Sequence, residues 1–362
     1  MKKILFFIPS LYHGGAETQF RYLINGINTF SEYKISVLSL EEIDFESNFV
    51  KNNQNIKFHS QNFNFTNYSN SRLKYFIYIF NYFFLFLKLL FSKNFKKYDV
   101  VISYGMILAP LIPIINLFNK KIIFSIRTAT KILYKRKYLK IFLNKADIVT
   151  CNSPHTKKIL QDIGVKNIKF IPNGINTKNK KFNKMSYNIK NIYVIGRIHP
   201  IKNQQYVLRA FKDLKDKNLC FVGKIVDKNY YKKLKEFVHS NKMEEKVKFI
   251  EFTDNMENIY KKADLVVLPS YEEGVSNVIL ESFLYKVLCL ASNIPQNSFI
   301  IRKNEFLFNL NDPNDLSKKI HKIDNILSKH PELIKEEIEN NYKYLLKNYT
   351  IEKMIDNYMY LF

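Results

Sequence analysis

The chain has 362 residues, enough for two domains that each bury a core of their own. Apolar residues make up 46% of it, and it holds only 9 Gly and 10 Pro, which excludes a disordered, collagen-like or low-complexity protein. Its formal charge of +25 is uneven: residues 1–175 carry 25 Lys/Arg against 9 Asp/Glu, a net +16, leaving +9 for the rest. Such a surface attracts nucleic acid, anionic headgroups or phosphorylated substrates, unless it reflects only a drift of composition toward Lys and Asn.

Met1-Lys2-Lys3 precedes an apolar run, Ile4 to Ile8, that is too short for a signal-peptide core and reads as a first β-strand. It ends in Pro9-Ser10-Leu11-Tyr12-His13-Gly14-Gly15-Ala16-Glu17, with a helix following over Glu17–Asn28. Gly14 and Gly15 let backbone N–H groups approach an anion at a helix N-terminus, although a plain strand-to-helix turn explains the pair as well. Strand-like runs follow at Ile35–Leu40, Val100–Ser103, Ile122–Ile126, Ile148–Cys151 and Lys169–Ile171, with a helix at Pro154–Ile163. Between them lies an aromatic stretch, residues 75–91, flanked by Arg72/Lys74 and Lys93/Lys96/Lys97. It is interrupted by Asn81 and Lys88, so it predicts either a buried helix or one whose outer face dips into a lipid interface, not a spanning one.

After a Lys/Asn-rich linker, Asn176–Lys190, the alternation restarts: Ile192–Ile195, Tyr206–Leu214, Leu219–Val222, Lys228–His239, Val247–Ile250, Met256–Lys262, Leu265–Leu268 and a helix at Asn277–Tyr285. Alternating strand and helix predicts parallel sheets built from βαβ units, hence two doubly wound, Rossmann-like α/β domains. The domains are expected at 1–178 and 179–345. Apolar residues at helical spacing in Lys343–Phe362 predict a terminal helix, assigned to residues 346–362 and packing back on the N-terminal domain. Cys151, Cys220 and Cys289 are far apart and read as reduced, buried residues of a cytosolic protein.

Besides the Gly14-Gly15 turn, two stretches carry chemistry. In Gly196-Arg197-Ile198-His199-Pro200-Ile201-Lys202, Arg197 leaves a strand end and Lys202 enters the next helix, so two cations converge above the carboxyl edge of the sheet and suit a diphosphate. Two solvated loop cations are the bland alternative. In Ser270-Tyr271-Glu272-Glu273-Gly274-Val275-Ser276-Asn277, followed by Glu281, two carboxylates stand eight residues apart. Glu281 lies one turn into an otherwise apolar helix, costly unless it bonds something such as a pair of ribose hydroxyls. The N–H groups near Ser276 and Asn277 form a second helix N-terminus for phosphate or sugar oxygens, with Ser276 also a natural N-cap.

With Ile171-Pro172-Asn173-Gly174-Ile175 before the linker, these stretches resemble glycosyltransferase family 4, bacterial retaining enzymes of the GT-B fold whose two Rossmann-like domains face a central cleft. The resemblance implies a hexose or N-acetylhexosamine transferred from a nucleotide sugar, expected to be UDP-linked, to a glycan acceptor, expected to be lipid-linked, in surface polysaccharide assembly. It implies donor contacts from Gly14, Gly15, Gly196, Arg197, Lys202, Glu273, Gly274, Val275, Ser276, Asn277 and Glu281. Arg197 and Lys202 would hold the diphosphate, Glu273 the sugar hydroxyls and Glu281 the ribose. Many family members carry a His at the end of the fifth strand of the N-terminal domain. Arg127 stands there here, counted among the catalytic candidates with Glu273, Arg197 and Lys202, though not as a base. The usual Gly-x-Gly is Gly223-Lys224-Ile225, and a usual Gly is Glu251. No cofactor and no metal are expected, because the chain has no Asp-x-Asp and cations already face the leaving group. The expected setting is the cytoplasmic face of the plasma membrane, bound peripherally to its anionic surface, with no nucleic-acid partner because the basic half shows no reading helix. An epimerase, a phosphorylase-like enzyme or a non-catalytic nucleotide-sugar-binding subunit on the same fold are the alternatives.

Overall fold

The computed structural model describes residues 1–11, 14–60, 84, 95–105, 109, 111–127, 133–134, 137–178, 188–251, 253 and 255–362. The chain divides into two compact units, Met1–Gly174 with Ile351–Phe362, and Ile175–Thr350.

The first unit is built on β1 (Lys2–Ile8), β2 (Tyr33–Ser39), β3 (Lys57–Ser60), β4 (Val100–Tyr104), β5 (Lys121–Ile126), β6 (Ile148–Cys151) and β7 (Ile168–Phe170), in the order β3-β2-β1-β4-β5-β6-β7. Every pairing is parallel. Helices α1 (Gly15–Ile27), α2 (Asn48–Lys51), α3 (Ile112–Asn116), α4 (Leu139–Leu143) and α5 (Pro154–Asp162) accompany it. The central strands are near-continuous apolar runs because helices cover both faces: all five residues of β4 are buried.

The second unit contains β8 (Asn191–Ile195), β9 (Asn218–Val222), β10 (Val247–Ile250), β11 (Leu265–Leu268), β12 (Leu288–Ser292) and β13 (Leu307–Phe308) in the order β10-β9-β8-β11-β12-β13, again all parallel. Its helices are α6 (Gln204–Phe211), α7 (Lys228–Ser240), α8 (Met256–Lys262), α9 (Asn277–Leu284), α10 (Pro295–Ile300), α11 (Asp315–Lys329) and α12 (Pro331–Asn348). Strand order reverses beside β1 in one sheet and beside β8 in the other, the point where the loops at the strands' carboxyl ends part and leave a crevice.

The terminal segment differs from the single helix expected over Lys343–Phe362. Helix α12 runs to Asn348, the chain opens at Tyr349–Thr350, and α13 (Ile351–Met359) follows. The break has a partner: Ile175 N–H donates to Tyr349 O at 2.7 Å, and Ile175 bridges Thr350 as a parallel pair. The unit boundaries therefore fall at 174/175 and 350/351 instead of 178/179 and 345/346. Helix α13 packs on α1, burying Met354, Ile355 and Tyr358. A Cβ on Gly26, in the last turn of α1, would stand 1.8 Å from Ile355 Cδ1, so the absence of a side chain there lets the two helices pack closely.

The expected aromatic helix at residues 75–91 lies outside the described residues except for Phe84, which is helical and exposed. The expected linker is likewise described only at its two ends. Among the described residues no helix is long and apolar enough to cross a membrane.

Candidate functional site

In the second unit the candidate residues sit on loops at the carboxyl edge of the sheet. The chain leaves β8 at Gly196, whose φ of +147° suits glycine, and Gly223 follows β9 at φ +155°. A Cβ on Gly223 would meet Gly196 O at 2.1 Å, so the two turns are in backbone contact and both positions require glycine. The turn is held from below, with Gln204 Nε2 donating to Arg197 O at 2.9 Å. The Arg197 residue itself is exposed. A short 3-10 turn, Pro200–Lys202, then sends the Lys202 side chain back over Gly196.

Lys202 Nζ meets Glu273 Oε1 at 2.5 Å in a well-shielded ion pair, the side chains 19% and 10% exposed. Ser270 Oγ donates to the same oxygen at 2.6 Å. Glu273 Oε1 is thus fully engaged while Oε2 stays available. The loop is braced from behind: Tyr271 N–H donates to Ile201 O at 2.9 Å, Ser292 Oγ to Ser270 O at 2.6 Å, and the buried Asn297 Nδ2 to Ser292 O at 3.0 Å. Sequence reasoning paired Lys202 with a ligand; the fold pairs it with a carboxylate 71 residues away.

Past Gly274 and the buried Val275, Ser276 takes the N-cap position of α9, but its hydroxyl accepts from no N–H of the helix. The expected capping bond is absent, leaving the first N–H groups of α9, including that of Asn277, without a side-chain acceptor from Ser276. One turn on, Glu281 Oε2 accepts from Tyr260 OH at 2.8 Å. Burial pushes the Glu281 carboxyl up to about 7, with the Tyr260 hydrogen bond opposing that rise. Tyr260 is itself locked by stacking on Tyr285, ring centroids 4.7 Å apart and 12° from parallel. No sequence pattern marks Tyr260, Ser292, Asn297 or Gln204 as supports, and Ser270, which opens the 270–277 stretch, is assigned no role there.

Beside these loops, Ile198, Phe221, Gly223, Ile225, Tyr231, Phe249, Ile250 and Glu251 line a shallow recess at the ends of β8, β9 and β10. Its walls are mostly apolar and aromatic with a single carboxylate, the character of a surface on which a planar base can lie.

In the first unit Gly14 is the extended N-cap of α1 and Gly15 its first residue. The Glu17 side chain folds against this turn: a Cβ on Gly14 would stand 2.2 Å from Glu17 Oε2. A carboxylate thus already occupies part of the space an anion would take at that helix end. Arg127, at the end of β5, is turned into the unit. Its Nε donates to Ser125 Oγ at 3.1 Å, one terminal nitrogen to Asn173 Oδ1 at 2.9 Å, and the other to Tyr358 OH at 2.5 Å. Its guanidinium also faces the Tyr104 and Tyr358 rings at 5.1 and 5.7 Å. Arg127 therefore ties helix α13 and the 172–174 turn to the sheet. Nearby, the Gln19 amide grips Gly174, donating to its O at 2.9 Å and accepting from its N–H at 2.8 Å.

Comparison with known proteins sets these loops in context. The family model "Glycosyl transferases group 1" matches residues 176–356, and "Glycosyltransferase Family 4" matches residues 13–179. A UDP-Gal:alpha-D-GlcNAc-diphosphoundecaprenol alpha-1,3-galactosyltransferase of Escherichia coli is 27% identical over 235 residues, 56% of this chain and 59% of that protein. A GalNAc-alpha-(1->4)-GalNAc-alpha-(1->3)-diNAcBac-PP-undecaprenol alpha-1,4-N-acetyl-D-galactosaminyltransferase of Campylobacter jejuni is 27% identical over 211 residues, 56% of each chain. The chain thus spans somewhat over half the length of these relatives. Among solved structures, Anabaena HepE in complex with UDP and glucose superposes with a TM-score of 0.79 at 17% identity, over 99% of this chain and 98% of that one. Sucrose-phosphate synthase from Thermosynechococcus elongatus does so with a TM-score of 0.83 at 15% identity, over 100% and 98%.

Proposed function

The chain belongs to glycosyltransferase family 4, and from that premise we propose that it is a retaining, metal-independent enzyme that moves a hexose or N-acetylhexosamine from a UDP-sugar to a lipid-linked glycan acceptor. The observation that carries this reading is the braced Lys202–Glu273–Ser270 cluster at the carboxyl edge of the second sheet, with Arg197 on the neighbouring loop and the Tyr260-held Glu281 in the first turns of α9. The relatives whose names specify diphosphoundecaprenol-linked acceptors support the acceptor class, and those named for UDP-sugars or solved with UDP support the donor.

Breaking the sugar–phosphate bond leaves negative charge on the diphosphate, so preorganised cations and N–H dipoles are the main catalytic device. Arg197 grips the diphosphate, and Lys202 turns toward it from Glu273, releasing that carboxylate. Glu273 Oε2 accepts from the donor sugar's hydroxyls, the N-terminal end of α9 faces phosphate or sugar oxygens, and Glu281 accepts from the ribose. The recess beside Gly223 takes the base. On the first unit, the Gly14–Gly15 turn can receive an anion only if Glu17 swings aside. The departing phosphate takes the acceptor's proton as the new glycosidic bond forms on the same face, so no separate base is required. Arg127, engaged by Ser125, Asn173 and Tyr358, serves the fold of the first unit and takes no part in proton transfer. The enzyme works on the cytoplasmic face of the membrane, held peripherally, in surface polysaccharide or glycan assembly.

Calorimetric titration of UDP tests the site. Arg197→Ala, Lys202→Ala and Glu281→Ala should each weaken binding by roughly 1–3 kcal/mol while the melting transition persists. Unchanged affinity in all three variants overturns the assignment.

A further inference from the structure

Four of the large apolar or aromatic side chains that the fold leaves exposed fall within one short stretch of the first unit: Leu117, Tyr134, Tyr138 and Ile141, at 76%, 46%, 52% and 62% exposure. The arrangement is specific. Helix α4 buries Leu139 and Leu143 in the core and leaves Lys140 and Ile141 between them exposed. Helix α3 buries Ile112 and Ile115 in the same cluster and is followed by the exposed Leu117. Asn116 Nδ2 donates to Lys145 O at 2.7 Å, which fastens the end of α3 to the loop after α4 and brings Leu117 beside Lys145. Isolated exposed leucines need no explanation, but Leu117 lies next to the Asn116–Lys145 link and α4 exposes Ile141 among the exposed Lys137, Lys140 and Lys145.

The charge around them is one-sided. Residues 101–146 contain nine Lys and Arg and no Asp or Glu. Asp99, just before, is bound through its carboxylate to Lys3 N–H at 2.7 Å. Asp147, just after, accepts from Ile122 N–H at 2.6 Å, so the nine cations face one flanking carboxylate at each end of the segment.

We propose that this α3–α4 face is a membrane-docking surface for an anionic lipid bilayer. The occupant follows from the pairing of residue types. Lysines at the rim attract anionic headgroups, Tyr134 and Tyr138 suit the headgroup level with one apolar and one wet end, and Leu117 and Ile141 project toward the acyl boundary. A nucleic acid would use the lysines but gain nothing from exposed Leu and Ile. The surface deepens the function proposed above, because it rests on the reading that the acceptor is lipid-linked and supplies the means of meeting it. It is built from described residues and does not depend on residues 75–91.

Flotation with vesicles of phosphatidylethanolamine and phosphatidylglycerol, against phosphatidylcholine alone, tests it on the full chain. Wild-type protein should float with the anionic vesicles, less at high salt but not to zero. Lys137→Gln/Lys140→Gln/Lys145→Gln should lower partitioning roughly a hundredfold, since each cation near such a surface contributes about a fivefold factor. Leu117→Ser/Ile141→Ser should remove the salt-resistant part. These positions are exposed, so every variant should keep the wild-type melting transition and UDP affinity. Wild-type protein that stays unbound at low salt, or variants that float like wild type, overturn the proposal. So does wild-type binding that duplex DNA abolishes and the Leu117/Ile141 variant does not alter, which would make the face a generic polyanion site. If UDP fails to bind while flotation behaves as described, the donor assignment falls and the docking surface stands.

Discussion

Replacing Tyr260 with Phe removes a single oxygen, the donor of the 2.8 Å hydrogen bond to Glu281 Oε2, and leaves the stack on Tyr285 intact. Glu281 is already raised from 4.5 to about 7, because burial favours the neutral acid over the carboxylate. The sign of its linkage follows. A folded-state value above the unfolded one stabilises the fold fully below about pH 4.5, and that contribution is lost as pH rises through about 7, at most about 3 kcal/mol. Ribose binding runs the other way, since the ionised carboxylate accepts both hydroxyls and the neutral acid does not. UDP affinity should therefore rise between pH 6 and pH 8, by at most about tenfold, the change in ionised fraction of one group titrating near 7. A hydrogen bond to a charged group is worth about 1.5–3 kcal/mol, so its loss in Tyr260→Phe should move the midpoint of that rise upward by about one to two pH units. Calorimetric titration of UDP across this range in wild type, Tyr260→Phe and Glu281→Gln reads it out. The diphosphate's own protonation is common to all three and cancels in the comparison. Equal pH profiles for wild type and Glu281→Gln, or an unmoved midpoint in Tyr260→Phe, would refute the account.

Gly223→Ala should lower the melting temperature and weaken UDP binding, since its Cβ would press on Gly196 O at 2.1 Å in a backbone region costing about 1–3 kcal/mol for a side chain; an unchanged Tm counts against the close contact of the two turns. Tyr358→Phe should destabilise the first unit by about 1–3 kcal/mol while leaving UDP affinity intact, because the lost hydroxyl serves the buried Ser125 and Arg127 and no donor-binding residue. Denaturant melts set beside calorimetry separate the two effects. Transfer to the lipid-linked acceptor should survive EDTA, and activity lost to chelation and restored by Mg²⁺ or Mn²⁺ would replace the cation-only view of the leaving group.

What the linear chain determines here is local. Apolar runs such as Val100–Ser103 and Leu265–Leu268 read as strands, and the structure buries both throughout, because a strand covered by helices on either side has no polar face to show. Gly196, Arg197 and Lys202 could be placed together because seven consecutive residues cannot stray far from one strand end. Family membership was equally legible, since it rests on short motifs in a fixed order. The tertiary structure alone decided the pairings between distant positions. Lys202 finds Glu273, Glu281 finds Tyr260, and Arg127 finds Tyr358, 231 residues on, because strand order brings loops together that the sequence keeps apart. The same holds for the chain's end. Helical periodicity ran on from Lys343 to Phe362, but Thr350 had a backbone partner in Ile175, and that non-local bridge outweighed local propensity and split the helix. Arg127 shows the reason most directly. A residue type at a strand end announces a charge, but which groups surround that charge depends on a helix more than two hundred residues later, and only packing reports it.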